Sequence, residues 1–191
     1  MIELEKYKRW ELIQYYINKT QTNNYLEIGC DNNKVFKKIR CKNKIGVDPV
    51  RGGTHRMTSD DFFKNNIEYF GVIFIDGLHH YDQVKKDVNN SLEFLDKDGY
   101  IVIHDMIPLG PEYAIVPRPL EPKTWMGDVW RLSFYLKERE DVRFKIVKID
   151  CGCGVLQKTS KKCSTYKEVK NDFSILEKNL HLLPIVSYDN K

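Results

Sequence analysis

The chain lacks any apolar run near the roughly 18 residues needed to cross a bilayer, so no membrane helix is expected. Its opening residues, Met1 to Lys6, lack a basic stretch followed by an apolar one, and no secretory leader is expected either. The five cysteines are odd in number and irregularly spaced, which excludes a disulfide framework. Cys151, Cys153 and Cys163 bring zinc to mind, but the two-residue spacer and a fourth ligand are missing, and ordinary thiols are the expectation. Lysine is spread along the chain and the formal charge is only +4, with no basic stripe and no Asn-Pro-Pro-aromatic motif. No nucleic-acid partner and no membrane partner are therefore expected. What remains is a cytoplasmic protein whose 41% apolar and 12% aromatic residues suffice for one folded domain over residues 1–191. A homo-oligomer is compatible with such a chain.

Short apolar runs alternate with helical patterns. Leu4, Tyr7, Trp10, Leu12, Ile13, Tyr16 and Ile17 predict an amphipathic helix within residues 1–20. Strands are predicted at 25–28, 44–48, 70–76 and 99–105, with a further one before Thr58, and helices at 34–39, 60–66 and 81–95. The run Phe70 to Asp76 is continuously apolar and so belongs at the centre of a sheet covered on both faces. Residues 106–127 hold most of the prolines and read as a substrate loop or lid. A helix at 128–139, an antiparallel pair at 143–150 and 154–158, and a helical tail within 164–191 complete the pattern. The expected fold class is α/β: a Rossmann-like, doubly wound, mostly parallel sheet with an antiparallel C-terminal strand pair and helices on both faces.

Ligands of such sheets sit at the carboxyl ends of the strands. The first predicted strand ends in Glu27-Ile28-Gly29-Cys30-Asp31, and Asp48 ends the second, about 20 residues on, the spacing of an adenosine-ribose grip. A dinucleotide needs more glycine than Gly29 alone, and Glu27 and Asp31 would repel a pyrophosphate. The same acids suit an ammonium and a sulfonium, which favours S-adenosyl-L-methionine. Ser59, Asp60 and Asp61 follow Thr58, where a carboxylate is placed to accept the adenine amino proton; Ser59 or Asp60 is also a helix cap. Further polar clusters stand at Asp76-Gly77-Leu78-His79-His80 and at His104-Asp105.

These pieces, Leu26-Glu27-Ile28-Gly29, Val47-Asp48, Ile75-Asp76-Gly77-x-His79-x-Tyr81 and Gly99 to Asp105, resemble class I S-adenosylmethionine-dependent methyltransferases. Within that class they are similar to the small-domain group of sugar O-methyltransferases and cephalosporin-hydroxylase-like enzymes. The resemblance covers about residues 20–160 and departs at Asn33, where a second glycine is common; Asn tolerates a left-handed turn. It implies cofactor contacts from Glu27, Gly29, Asp48, Asp76 and one of Asp60 or Asp61. It also implies a divalent metal on Asp76, His104 and Asp105, the histidine tilting preference from magnesium towards manganese. It further implies a general base at His79, with His80 one residue away able to trade roles.

Trp125, Asp128 and Arg131 look like a sugar contact, whereas Trp130 reads as core. The expected function is therefore O-methylation of a hydroxyl on a sugar or glycan, assisted by a metal. The alternatives are a metal-free methyltransferase of another small molecule and a nucleotide-binding module without turnover.

Overall fold

The computed structural model describes residues 2–121, 123–162 and 168–188. Its sheet runs through β1 (Asn24–Ile28), β2 (Asn43–Val47), β3 (Phe70–Ile75), β4 (Leu95–Ile103), β5 (Val142–Val147), β6 (Cys153–Lys158) and β7 (Ile185–Val186) in the order β2-β1-β3-β4-β6-β5-β7. β2, β1, β3 and β4 are mutually parallel, and β6 is antiparallel to both β4 and β5. The expected α/β class with an antiparallel C-terminal pair is thus observed, with β7 added at the edge. Every residue of β3 is buried, as its unbroken apolar run requires of a central strand.

The pleat sorts the core into two layers. Leu26, Ile28, Ile73, Ile75, Ile101 and Ile103 face α2 (Ser59–Asn65), α3 (Tyr81–Glu93), α4 (Arg131–Glu138) and α5 (Phe173–Asn179). Tyr25, Val72, Phe74 and Val102 face α1 (Arg9–Thr20), whose buried side is Leu12, Ile13, Tyr16 and Ile17. Trp130 is fully buried, as expected of a core residue. Among the described residues no helix is long and apolar enough to cross a membrane.

Four local expectations are corrected. The first helix begins only at Arg9; before it, Glu5 lies beside Ile149 and donates its N–H to Lys148 O at 2.8 Å. Residues 34–39 form turns, because the Lys44 ammonium takes the Phe36 and Ile39 carbonyls at 2.8 and 2.9 Å that a helix would have used. No strand precedes Thr58: Pro49, Gly52 and Gly53 interrupt the chain, and the two glycines take φ of +71° and +65°, leaving one isolated bridge from Val47 to His55. The tail is a short α5 followed by a 3-10 turn at Leu180–Leu182, and residues 163–167, with Cys163, lie outside the described residues.

Candidate active site

The parallel strands deliver their carboxyl ends to one edge. The end of β1 is stitched there to β2 by Gly29 N–H to Val47 O at 2.9 Å and to β3 by Asp76 N–H to Ile28 O at 2.8 Å. Gly29 sits at φ +85°, and a Cβ on it would lie 2.2 Å from the Asp76 carbonyl, so only glycine lets the turn close on β3. Asn33 does adopt the left-handed conformation, at φ 63°, and its side chain accepts the Gly53 N–H at 2.7 Å. The Asp48 carboxylate accepts backbone N–H groups from Asp31, Val50 and Arg51 at 2.8, 2.8 and 2.9 Å. Burial raises its carboxyl, but these bonds outweigh burial and hold it below the ordinary value. A carboxylate offers about four lone-pair sites, so about one is left for a ligand hydroxyl.

The other predicted cofactor residues are differently placed. Glu27 is buried beneath the turn, where Tyr25 donates its hydroxyl at 2.6 Å, and burial pushes its carboxyl up to about 7. Asp31 points outward and pairs with Arg51. The cap of α2 is Thr58, which accepts the Asp61 N–H at 3.1 Å; neither Ser59 nor Asp60 has that role. Asp61 is exposed and Asp60 pairs with Lys86. Ser59 donates its hydroxyl to Asp87 at 2.7 Å. Asp87, missed from the sequence, is a buried acid on the apolar side of α3, and burial pushes it up to about 6 against its bonds from Ser59 and Gln83. Its signal was a carboxylate inside the stripe formed by Val84 and Val88.

Asp76 is the hub of the site. His104 Nδ1 lies 3.2 Å from Asp76 Oδ1, His79 Nε2 lies 3.5 Å from the same oxygen, and Arg9 Nε lies 3.5 Å from Oδ2. Burial raises the Asp76 carboxyl, yet these cations, His104 foremost, hold it far below the usual carboxylate range. Asp105 sits in left-handed backbone at φ 62°, rare for a residue with a side chain, 3.0 Å from His104 Nδ1 and 3.2 Å from His79 Nδ1. His104 Nε2 lies 2.6 Å from the Asp150 carbonyl. Burial lowers the His104 imidazole, but Asp105 and Asp76 push it up to about 10.

Arg9 was invisible in the sequence. It arrives from the first turn of α1, and its Nη1 reaches Asp150 Oδ2 at 3.1 Å.

His79 is clamped by the loop that follows Asp105. Its Nδ1 is 2.8 Å from the Trp125 carbonyl, which fixes that nitrogen as the N–H in the neutral ring and leaves the lone pair on Nε2. Trp125 also stacks on the imidazole at 5.3 Å and 18°, and the Asp128 N–H donates to His79 O at 3.2 Å. Gly127, at φ +61°, passes so close that a Cβ would fall 1.7 Å from His79 O. Gly127→Ala is therefore expected to shift His79 and lower turnover at least about tenfold, given how steeply rate depends on sub-ångström placement; steady-state kinetics beside cofactor affinity check this. His80 instead meets the edge of the Trp125 ring, centroids 5.6 Å apart, so His79 is the histidine that faces the cluster.

The expected sugar contacts are corrected in part. Asp128 is buried with one oxygen on the Tyr81 N–H at 2.7 Å and the other on Arg131 Nη1 at 2.7 Å; it caps α3. Arg131 also donates to Val169 O at 2.8 Å and lies over the Tyr81 ring. Trp125 remains half-buried at the site, with Arg118 over its ring at 5.6 Å.

The expected metal set of Asp76, His104 and Asp105 does not fit. His104 Nδ1 is turned to the two carboxylates themselves, and its Nε2 is occupied by the Asp150 carbonyl at 2.6 Å and Arg9 Nη1 at 2.9 Å, so neither nitrogen is open to an ion. Among the described residues, donors of Asp76, His79 and Asp105 gather within 4.8 Å, as do those of His104, Asp105 and Cys151. In both sets the carboxylates already face buried cations, and a dication would be added to those. Cys153 is buried and stands outside both sets.

Comparison with known proteins agrees with the fold. A family model described as "Methyltransferase domain" matches residues 22–106. That segment, 85 of the 191 residues, runs from the start of β1 to just past β4 and so takes in the strand ends that carry the site. The O-methyltransferase TomG of Streptomyces achromogenes, involved in tomaymycin synthesis and solved with S-adenosylmethionine, superposes with a TM-score of 0.61 at 14% identity over 80% of each chain. The S-adenosylhomocysteine-bound methyltransferase PaMTH1 of Podospora anserina gives 0.57 at 14% identity over 80% of this chain and 78% of its own. An O-methyltransferase of Bacillus cereus gives 0.55 at 12% identity over 78% and 80%. No curated protein sequence matches the chain.

Proposed function

We propose that this chain transfers a methyl group from S-adenosylmethionine to a hydroxyl of a small-molecule acceptor, with His79 as the general base. The observation that carries the reading is a histidine whose tautomer is set by the Trp125 carbonyl and whose Nε2 faces Asp76 at 3.5 Å, at the strand ends beside the Gly29–Asp48 turn. Asp48 would take a ribose hydroxyl on its remaining acceptor site, and Gly29 would let the cofactor approach the backbone. The bound cofactor supplies an electrophilic methyl group on sulfur. Nε2 takes the hydroxyl proton as the new oxygen–carbon bond forms and the carbon–sulfur bond breaks. In-line alignment of the reacting atoms supplies much of the rate.

Sugars and glycans are the first acceptors to screen, although Asp128 and Arg131 no longer recommend them. Calorimetry tests the cofactor: S-adenosylhomocysteine is expected to bind the wild type, and Asp48→Ala to weaken it by about tenfold or more, a loss of about 1.4 kcal/mol. A wild type that does not bind would sink the reading.

A further inference from the structure

Arg9 stands where the site has most need of positive charge. Asp76, Asp105 and Asp150 converge there, and Arg9 lies 3.5 Å from Asp76 and 3.1 Å from Asp150. It is secured twice to Asp150, since its backbone N–H also donates to that carboxylate at 3.1 Å. Its Nη1 comes within 2.9 Å of His104 Nε2. Asp150 meets both side chains, its carboxylate on Arg9 and its carbonyl on His104. The Arg9 Nε is buried and has no hydrogen-bond partner, so one donor is left over at the acid cluster.

We infer that Arg9 is a built-in substitute for a divalent ion, and that methyl transfer here needs no metal. The inference rests on the methyl-transfer reading only for the reaction; the exclusion of metal stands by itself. A guanidinium beside Asp76 neutralises the carboxylate that would anchor a dication. Arginine keeps its charge at every working pH, so the arrangement does not depend on an ion supply.

Manganese titration followed by electron paramagnetic resonance tests this with the ion alone. The wild type is expected to bind no Mn2+ at submillimolar concentration. Arg9→Gln is expected to bind it at least about tenfold more tightly, about 1.4 kcal/mol. Arg9→Lys, which keeps the charge, is expected to exclude Mn2+ as the wild type does. Turnover of the wild type is expected to be unchanged by EDTA. Equal Mn2+ affinity in wild type and Arg9→Gln, tight binding by Arg9→Lys, or loss of wild-type turnover in EDTA would each overturn the proposal. Should Arg9→Gln not fold, Arg9→Lys and the chelator decide. S-adenosylhomocysteine calorimetry on the same samples separates this from failure of the cofactor reading, because Mn2+ binding is read without cofactor.

Discussion

His79→Ala is expected to lower turnover by about 10²–10⁴-fold, the usual contribution of a positioned acid–base group, while S-adenosylhomocysteine affinity changes little. The split follows from position. The His79 ring faces Asp76 and Asp105 and is held by Trp125, whereas the adenosine end of the proposed cofactor site lies at Asp48 on the far side of the Gly29 turn. The pH profile adds a second readout. Burial lowers the His79 pKa, but Asp76 and Asp105 outweigh burial and raise it above the ordinary 6.5. The imidazole is therefore protonated and idle as a base on the acid side, and wild-type turnover is expected to climb with pH through an inflection above 6.5. The variant should lose that limb. Unchanged turnover would pass the role to His80 or to a water.

Asp76→Asn is expected to cost about 3–5 kcal/mol of stability, the range for removing one partner of a buried ion pair, and to abolish turnover. Asparagine keeps the shape and removes the charge, so Arg9, His79 and His104 would be left with Asp105 and Asp150 alone. The loss should depend on pH. The depressed Asp76 carboxyl contributes stability above its unfolded value near 3.9 and loses it as pH falls below that. The raised His104 contributes fully below its unfolded value near 6.5 and loses its contribution as pH rises through about 10. The gap between wild type and variant should thus be widest from roughly pH 4 to 6.5 and narrow towards pH 10. Urea unfolding across that range measures it, and a gap that ignores pH would mean Asp76 acts through shape alone.

The strand ends were legible because strand periodicity and a few residues encode them: the apolar run Phe70–Ile75, the Gly29 turn, and the acid at Asp48. Element boundaries failed where a remote side chain intervened, as when Lys44 took the carbonyls of Phe36 and Ile39. The site was half legible. His79, Asp76, His104 and Asp105 are brought together, but their roles depend on partners that no local pattern announces. Arg9 lies 95 positions before His104 and meets it only because α1 packs over the sheet. Of the partners of Asp128 only Arg131 is local; Tyr81 lies 47 positions before it, so the residue reads as an exposed sugar contact until its burial against α3 is known.

The clamp on His79 is made largely of main-chain atoms: the Trp125 carbonyl, the Asp128 N–H and the bare Cα of Gly127. Main chain is common to every residue type, so inheritance can alter the rest of that loop freely. Leu109, Ile115 and Leu120, all exposed, can drift without disturbing His79. A lineage with this scaffold can therefore exchange one acceptor for another by changing side chains along the rim, while Gly127 stays fixed.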